Sequence, residues 1–151
     1  MIKYQYITEY NEDFNEVILD FSMDTSLKNG YLISDSLGSD IFSDFATVKD
    51  EIEKLLELIA GKSTLYEGGG NVNIIRSEKI FTTIDDIFAE EDEEDGACKL
   101  ETIEFTKIIL LWAKENFQYK CKRGVILKDE ADLAIDWINK KCIEVHELEI
   151  R

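Results

Sequence analysis

Apolar and polar positions alternate along the first part of the chain and recur every three to four residues along much of the rest. These two periods predict strands and helices respectively. Residues 2–8 and 14–23 predict strands. In the second, Val17, Leu19, Phe21 and Met23 share one face while Glu16, Asp20 and Ser22 share the other, the pattern of a half-buried antiparallel strand. Asn29-Gly30 predicts a turn, residues 31–34 (YLIS) a third short strand, and residues 35–45, polar with scattered aromatics, a loop. Over 48–60 the period changes. Val48, Ile52, Leu55, Leu56 and Ile59 form a stripe one face wide, which predicts a helix lying on a sheet, with Thr47 as N-cap, Asp50 three residues on, and Gly61 as the stop.

The stretch YEGGGNVNII, residues 66–75, then returns to alternation. It opens a predicted hairpin with one strand over 71–76, a turn near Ser77–Lys79 and a second strand over 80–84. ACKLE, residues 97–101, predicts one more short strand. A helix is predicted over 102–118 from Phe105, Ile108, Ile109, Trp112 and Phe117, with Thr102 near its start. Another is predicted over 129–141 from Ala131, Ala134, Ile135 and Ile138, with Asp129 as cap. The imperfect alternation of Ile143, Val145, Leu148 and Ile150 predicts an edge strand or a tail. Strands, helix, strands, helices in that order predict an α+β fold: a mostly antiparallel sheet with about three helices packed on it. With 151 residues and no proline-rich linker, a single domain over 1–151 is expected, residues 119–151 forming a C-terminal helical extension.

Three consecutive glycines suggest either a phosphate cradle or a sharp turn. A phosphate-binding loop needs Lys and Ser/Thr after its last glycine, but Gly70 is followed by Asn71 and Val72. A dinucleotide fingerprint needs glycines that follow a strand and open a helix, whereas here alternation lies behind them. The run is therefore expected to supply positive φ angles and a bend at the sheet edge.

Charge changes the picture most. Thirty-three acids against seventeen bases give a net charge of −16, which repels nucleic acid and anionic membrane and draws cationic partners. No apolar run approaches the roughly 20 residues of a membrane-spanning helix, and the start carries no secretory signal pattern. Cys98, Cys121 and Cys142 are odd in number and widely spaced, which argues against disulfides and zinc and for a reducing cytoplasm. The single histidine, His146, lies among glutamates near the C-terminus and leaves the usual zinc and Cys–His arrangements without a partner. No catalytic residue, metal ligand or cofactor-binding residue is assigned, and no enzyme activity is expected. The densest feature is residues 84–96, IDDIFAEEDEEDG, which hold Asp85, Asp86, Glu90, Glu91, Asp92, Glu93, Glu94 and Asp95. Their spacing does not match a calcium loop. They are the expected docking residues for a basic partner, whose approach their charge would steer. Tyr66 and Phe88 are the candidate aromatic anchors, with core packing the preferred reading for Phe88.

The order Gly69-Gly70-Asn71, strand Val72–Arg76, Ile84–Phe88, acidic insert Glu90–Asp95, short strand Cys98–Leu100, then Thr102, Glu104, Phe105 and Trp112 opening a helix resembles small acidic immunity proteins. These belong to bacterial contact-dependent growth inhibition and related polymorphic toxin systems. The resemblance spans about residues 47–118, with the helix at 48–60 standing where the pattern puts one. It implies a protein that binds and blocks the C-terminal domain of a cognate toxin, a basic protein expected to be a nuclease, and performs no reaction itself. The third glycine and the stretch from Tyr119 to Arg151 depart from the pattern. The competing class is a non-catalytic acidic cytosolic binding or regulatory module, or a nucleic-acid mimic, with another cationic partner.

Overall fold

The structure is a computed structural model that describes residues 1–88 and 96–151. The chain opens with a hairpin, β1 (Ile7–Asn11) and β2 (Glu16–Asp20), followed by a short helix α1 (Tyr31–Ser36) and a longer one, α2 (Phe45–Ile59). A meander follows: β3 (Tyr66–Gly69), β4 (Asn73–Ser77), β5 (Phe81–Asp86) and β6 (Ala97–Glu101). Two long helices, α3 (Thr102–Lys122) and α4 (Lys128–Glu149), complete it. The class is α+β, and every strand pairing is antiparallel, in a two-stranded sheet β1-β2 and a four-stranded sheet β3-β4-β5-β6.

Several elements differ from their predicted form. Residues 31–34 are helical: Leu32, Ile33 and Ser36 are buried at helical spacing, and Ser36 Oγ donates back to the Leu32 carbonyl. The predicted strand at 2–8 begins only at Ile7, because Tyr4 is drawn into the core with its hydroxyl on Glu101. The cap of α2 is Asp44, which accepts the Thr47 N–H at 3.0 Å, so Thr47 lies inside the helix it was expected to start. Asp129 lies in the first turn of α4, one position past Lys128, and does not cap it. The C-terminal residues continue α4 to Glu149, since Ala131, Ala134, Ile138 and Val145 keep a helical stripe against α3 while Ile143 and Ile150 face solvent.

α3 lies at the centre. It packs against α2, α4, β2, β5 and β6, and its Phe105, Ile108, Ile109, Trp112 and Ala113 are buried. The inner face of the four-stranded sheet contributes Ile75, Ile84, Cys98 and Leu100 to the same core. At the start of α3 the Thr102 N–H donates to the Ile80 carbonyl at 2.8 Å, so the β4–β5 turn satisfies one of the helix's free donors.

A two-stranded hairpin is marginal alone; here α3 anchors it. Trp112 Nε1 donates to the Val17 carbonyl at 3.0 Å, and Asn116 both accepts the Val17 N–H at 3.0 Å and donates to the same carbonyl at 3.2 Å. The Asn116 amide thus takes the place of a neighbouring strand beside β2, and a further bond to the Trp112 carbonyl at 2.9 Å fixes its orientation. All of these groups are buried. Asn116→Ala is expected to cost about 2 kcal/mol by leaving the Val17 N–H unpaired. Urea unfolding should report this as a lower midpoint with an unchanged slope.

Candidate functional site

The glycine turn answers the question its sequence raises. Gly69 and Gly70 have φ of +83° and +111°, and a side chain at Gly69 would place its Cβ 2.4 Å from the Asn73 carbonyl oxygen. The left-handed backbone and the close approach both require glycine at that position. Behind the bend, the N–H groups of Asn71, Val72 and Asn73 converge on one carboxylate, that of Asp40, at 2.9, 2.9 and 3.0 Å. Asn71 Nδ2 adds a bond to the Ser39 carbonyl at 2.7 Å. The turn is an anion cradle after all, and its anion is the chain's own.

This clasp ties the α1–α2 connection to one end of the four-stranded sheet, where further carboxylates gather. Asp85 stands on the outer face, paired with Ile74 and Ala97, and Asp86 stands opposite Asn73 on the face turned to α1. Asp35 of α1 lies within reach of Asp86 and of Asp20 at the end of β2. Its carboxyl is held above the ordinary carboxylate range by partial desolvation and then by the charges of Asp86 and Asp20. Asp20 shifts the other way, because Ser22 donates to it from its backbone and side chain. None of Asp20, Asp35, Asp85 and Asp86 makes an ion pair with a described residue.

Beside these charges two apolar side chains point outward. The Ile87 N–H donates to the Val72 carbonyl at 3.2 Å and the Phe88 N–H to Asp86 Oδ1 at 2.8 Å. Both backbones are therefore fixed while the side chains face solvent, Phe88 at 75% exposure. Phe88 is thus not the core residue that its apolar neighbours suggested. Tyr66 is the reverse case. It is half-buried against α2, its hydroxyl donates to Glu51 Oε1 at 2.5 Å, and Lys54 Nζ lies 4.8 Å from its ring centroid. Burial raises both the Tyr66 phenol and the Glu51 carboxyl, and the hydroxyl of Tyr66 is held by Glu51. The predicted docking residues Glu90, Glu91, Asp92, Glu93, Glu94 and Asp95 lie outside the described residues.

Sequence reasoning missed Asp20, Asp35, Asp40 and Ile87. Only the fold brings the three aspartates to the sheet end, and nothing in the predicted loop 35–45 sets Asp40 apart from Asp35 and Asp44. It also missed that Cys142 and His146 stand one helical turn apart on α4 and line a common recess of about 430 Å³ with Ile2, Leu111 and Lys114. No hydrogen bond joins the two, and burial raises the Cys142 thiol, so it is not an activated nucleophile. Among the described residues no group of three or more His, Cys, Asp or Glu has the arrangement to hold a metal ion, and no helix is long and apolar enough to cross a membrane. Comparison with protein-family models, with curated proteins and with solved structures finds no match to this chain.

Two outcomes follow from this geometry. Asp40→Ala should cost about 1–2 kcal/mol, since the turn is partly open to water, and should speed amide exchange at Asn71–Asn73. Asp35 binds its proton more tightly folded than unfolded. The resulting stabilisation is present below the unfolded pKa of about 3.9 and is lost as pH rises through the folded value, so ionised Asp35 opposes folding at pH 7. Asp35→Asn should stabilise the fold at pH 7 by under about 0.5 kcal/mol for so exposed a group, read as a small rise in thermal midpoint, and leave stability unchanged near pH 3.

Proposed function

We propose that this chain is an immunity protein that neutralises a bacterial toxin domain by binding it one-to-one. The carrying observation is the exposed Phe88, with Ile87 beside it, at a sheet end where Asp20, Asp35, Asp85 and Asp86 make no ion pair among the described residues. An exposed apolar side chain at the same sheet end as several carboxylates is the composition of an interface whose other half is basic. The net charge of −16 favours the same partner and raises its rate of encounter. The toxin this reading implies is a nuclease domain, whose phosphate-binding cleft would receive the carboxylates in place of nucleic acid. The chain's own work is binding. It stays in the cytoplasm of the cell that it protects.

The test is co-expression with the toxin encoded beside it. The unaltered chain should protect cells and co-purify with the toxin domain in equal amounts. Phe88→Ala combined with Asp85→Lys and Asp86→Lys should weaken binding about 100-fold or more, most strongly at low salt, with the melting temperature little changed. Full protection by that triple variant at every salt concentration would remove the proposed interface. A chain that neither protects nor co-purifies would remove the function.

A further inference from the structure

The bonds from α3 to Val17 fix the direction of every backbone group in the N-terminal hairpin. In an antiparallel pair, successive residues of a strand point their N–H and C=O alternately toward the partner strand and away from it. Both polar groups of Val17 are spent on Asn116 and Trp112, away from β1. Val17 and Tyr10 are therefore a non-hydrogen-bonded pair, and Asn11 with Glu16, Glu9 with Ile18 and Ile7 with Asp20 carry the ladder. It follows that Thr8 and Tyr10 direct their N–H and C=O outward from β1, on the side that carries no strand among the described residues. Those four groups have no partner among the described residues.

The surroundings of this edge are apolar and mostly acidic, with Lys122 sharing a recess with Tyr10 and Glu12 and Arg123 Nε donating to Asn15 Oδ1 at the tip. Ile7, Tyr10 and Phe14 are exposed, Phe14 at the hairpin tip by 73%. The tip is held open by Asn11, whose Oδ1 accepts the N–H groups of Asp13 and Phe14, and by Asn15 at φ +53°. Glu9, Glu12 and Asp13 line a shallow recess over Ile18 and make no ion pair among the described residues. Asp20, paired with Ile7 at the far end of the hairpin, belongs to the carboxylate group at the sheet end, so each end of the hairpin carries acids.

We propose that the free edge of β1 receives an extended, basic segment of the partner protein, which adds to the hairpin as a third strand. This rests on the reading of the partner as a cationic protein. Main-chain bonds to Thr8 and Tyr10 would supply the docking, and alternate basic side chains would meet Glu9 and the acids of the tip. A second copy of this chain is the poorer occupant. The two-fold antiparallel register that joins Thr8 to Tyr10 sets Glu9 directly opposite the other Glu9, and like charges so placed repel.

The test uses the whole chain and an alternating lysine–valine octapeptide, with a glutamate–valine octapeptide as control. Saturable binding of the basic peptide should slow amide exchange of Thr8 and Tyr10 by about tenfold or more, with Ile7, Glu9 and Asn11 changing little. Thr8→Pro removes one outward donor without touching the ladder, a change tolerated on an edge strand, and should reduce affinity by about tenfold. Glu9→Lys should do the same in low salt. Circular dichroism confirms that each variant stays folded. The proposal is overturned if the basic peptide fails to bind, if the acidic peptide binds as well, if binding leaves Thr8 and Tyr10 exchange unchanged, or if those amides are protected only in a concentration-dependent dimer. The peptide experiment is independent of toxin protection. Protection with an unchanged β1 edge in the toxin complex sinks strand addition alone, while loss of protection sinks the wider function.

Discussion

The amide of Asn116 and the indole of Trp112, both on α3, hold the two polar groups of Val17, and the arrangement of the molecule's first third follows from that contact. A side-chain amide presents a donor and an acceptor side by side in one plane, so it can stand beside a strand as a neighbouring strand would, with its second N–H left for the Trp112 carbonyl. Through it the central helix joins the N-terminal hairpin to the core that the four-stranded sheet shares, without the two sheets becoming one. Because the contact is buried, water does not compete for it, and its loss would strand polar groups where solvent cannot reach. The same contact decides which edge of the hairpin is closed and which remains free.

The α+β class and the long amphipathic segments were legible in the chain, because periodicity over ten or more residues is strong enough to survive tertiary context. α2, β5, β6 and α3 lie close to where their patterns put them. Short elements were less legible. Leu32, Ile33 and Ser36 fit a helical turn as well as a strand, and only packing onto β2 and β5 decides for the turn. At the C-terminus, Ile143 and Val145 alternate by accident, while the spacing of Ile138, Val145 and Leu148 that α3 selects is helical. The site was partly legible. Asp85 and Asp86 were visible as part of a charge run, but no local pattern states that Asp20, Asp35 and Asp40 arrive at the same end. Tyr66 and Phe88 depart from their expected places for a similar reason: Glu51 on the preceding helix holds the hydroxyl of one, and the other, its N–H bonded to Asp86, faces solvent.

Ionised Asp35 opposes folding, first through its partial desolvation and then through the nearby charges of Asp86 and Asp20. Their mutual repulsion would be relieved by a cationic surface, so part of any binding energy would be the removal of a strain present in the free protein. The bonds that fix Ile87 and Phe88 matter in the same balance. Side chains presented from an ordered backbone lose less freedom on association than those of a mobile loop.

The glycine turn carries a last consequence for what this chain can take up from solution. A carboxylate tethered to the same molecule competes with any dissolved anion at an effective concentration of about millimolar or above. Asp40 holds that advantage at the N–H groups of Asn71, Val72 and Asn73, so a free phosphate of weaker intrinsic affinity would be displaced before it could settle. A backbone cradle able to hold an anion is thereby closed by its own resident ligand, and its N–H groups are spent on holding the α1–α2 connection in register with the sheet.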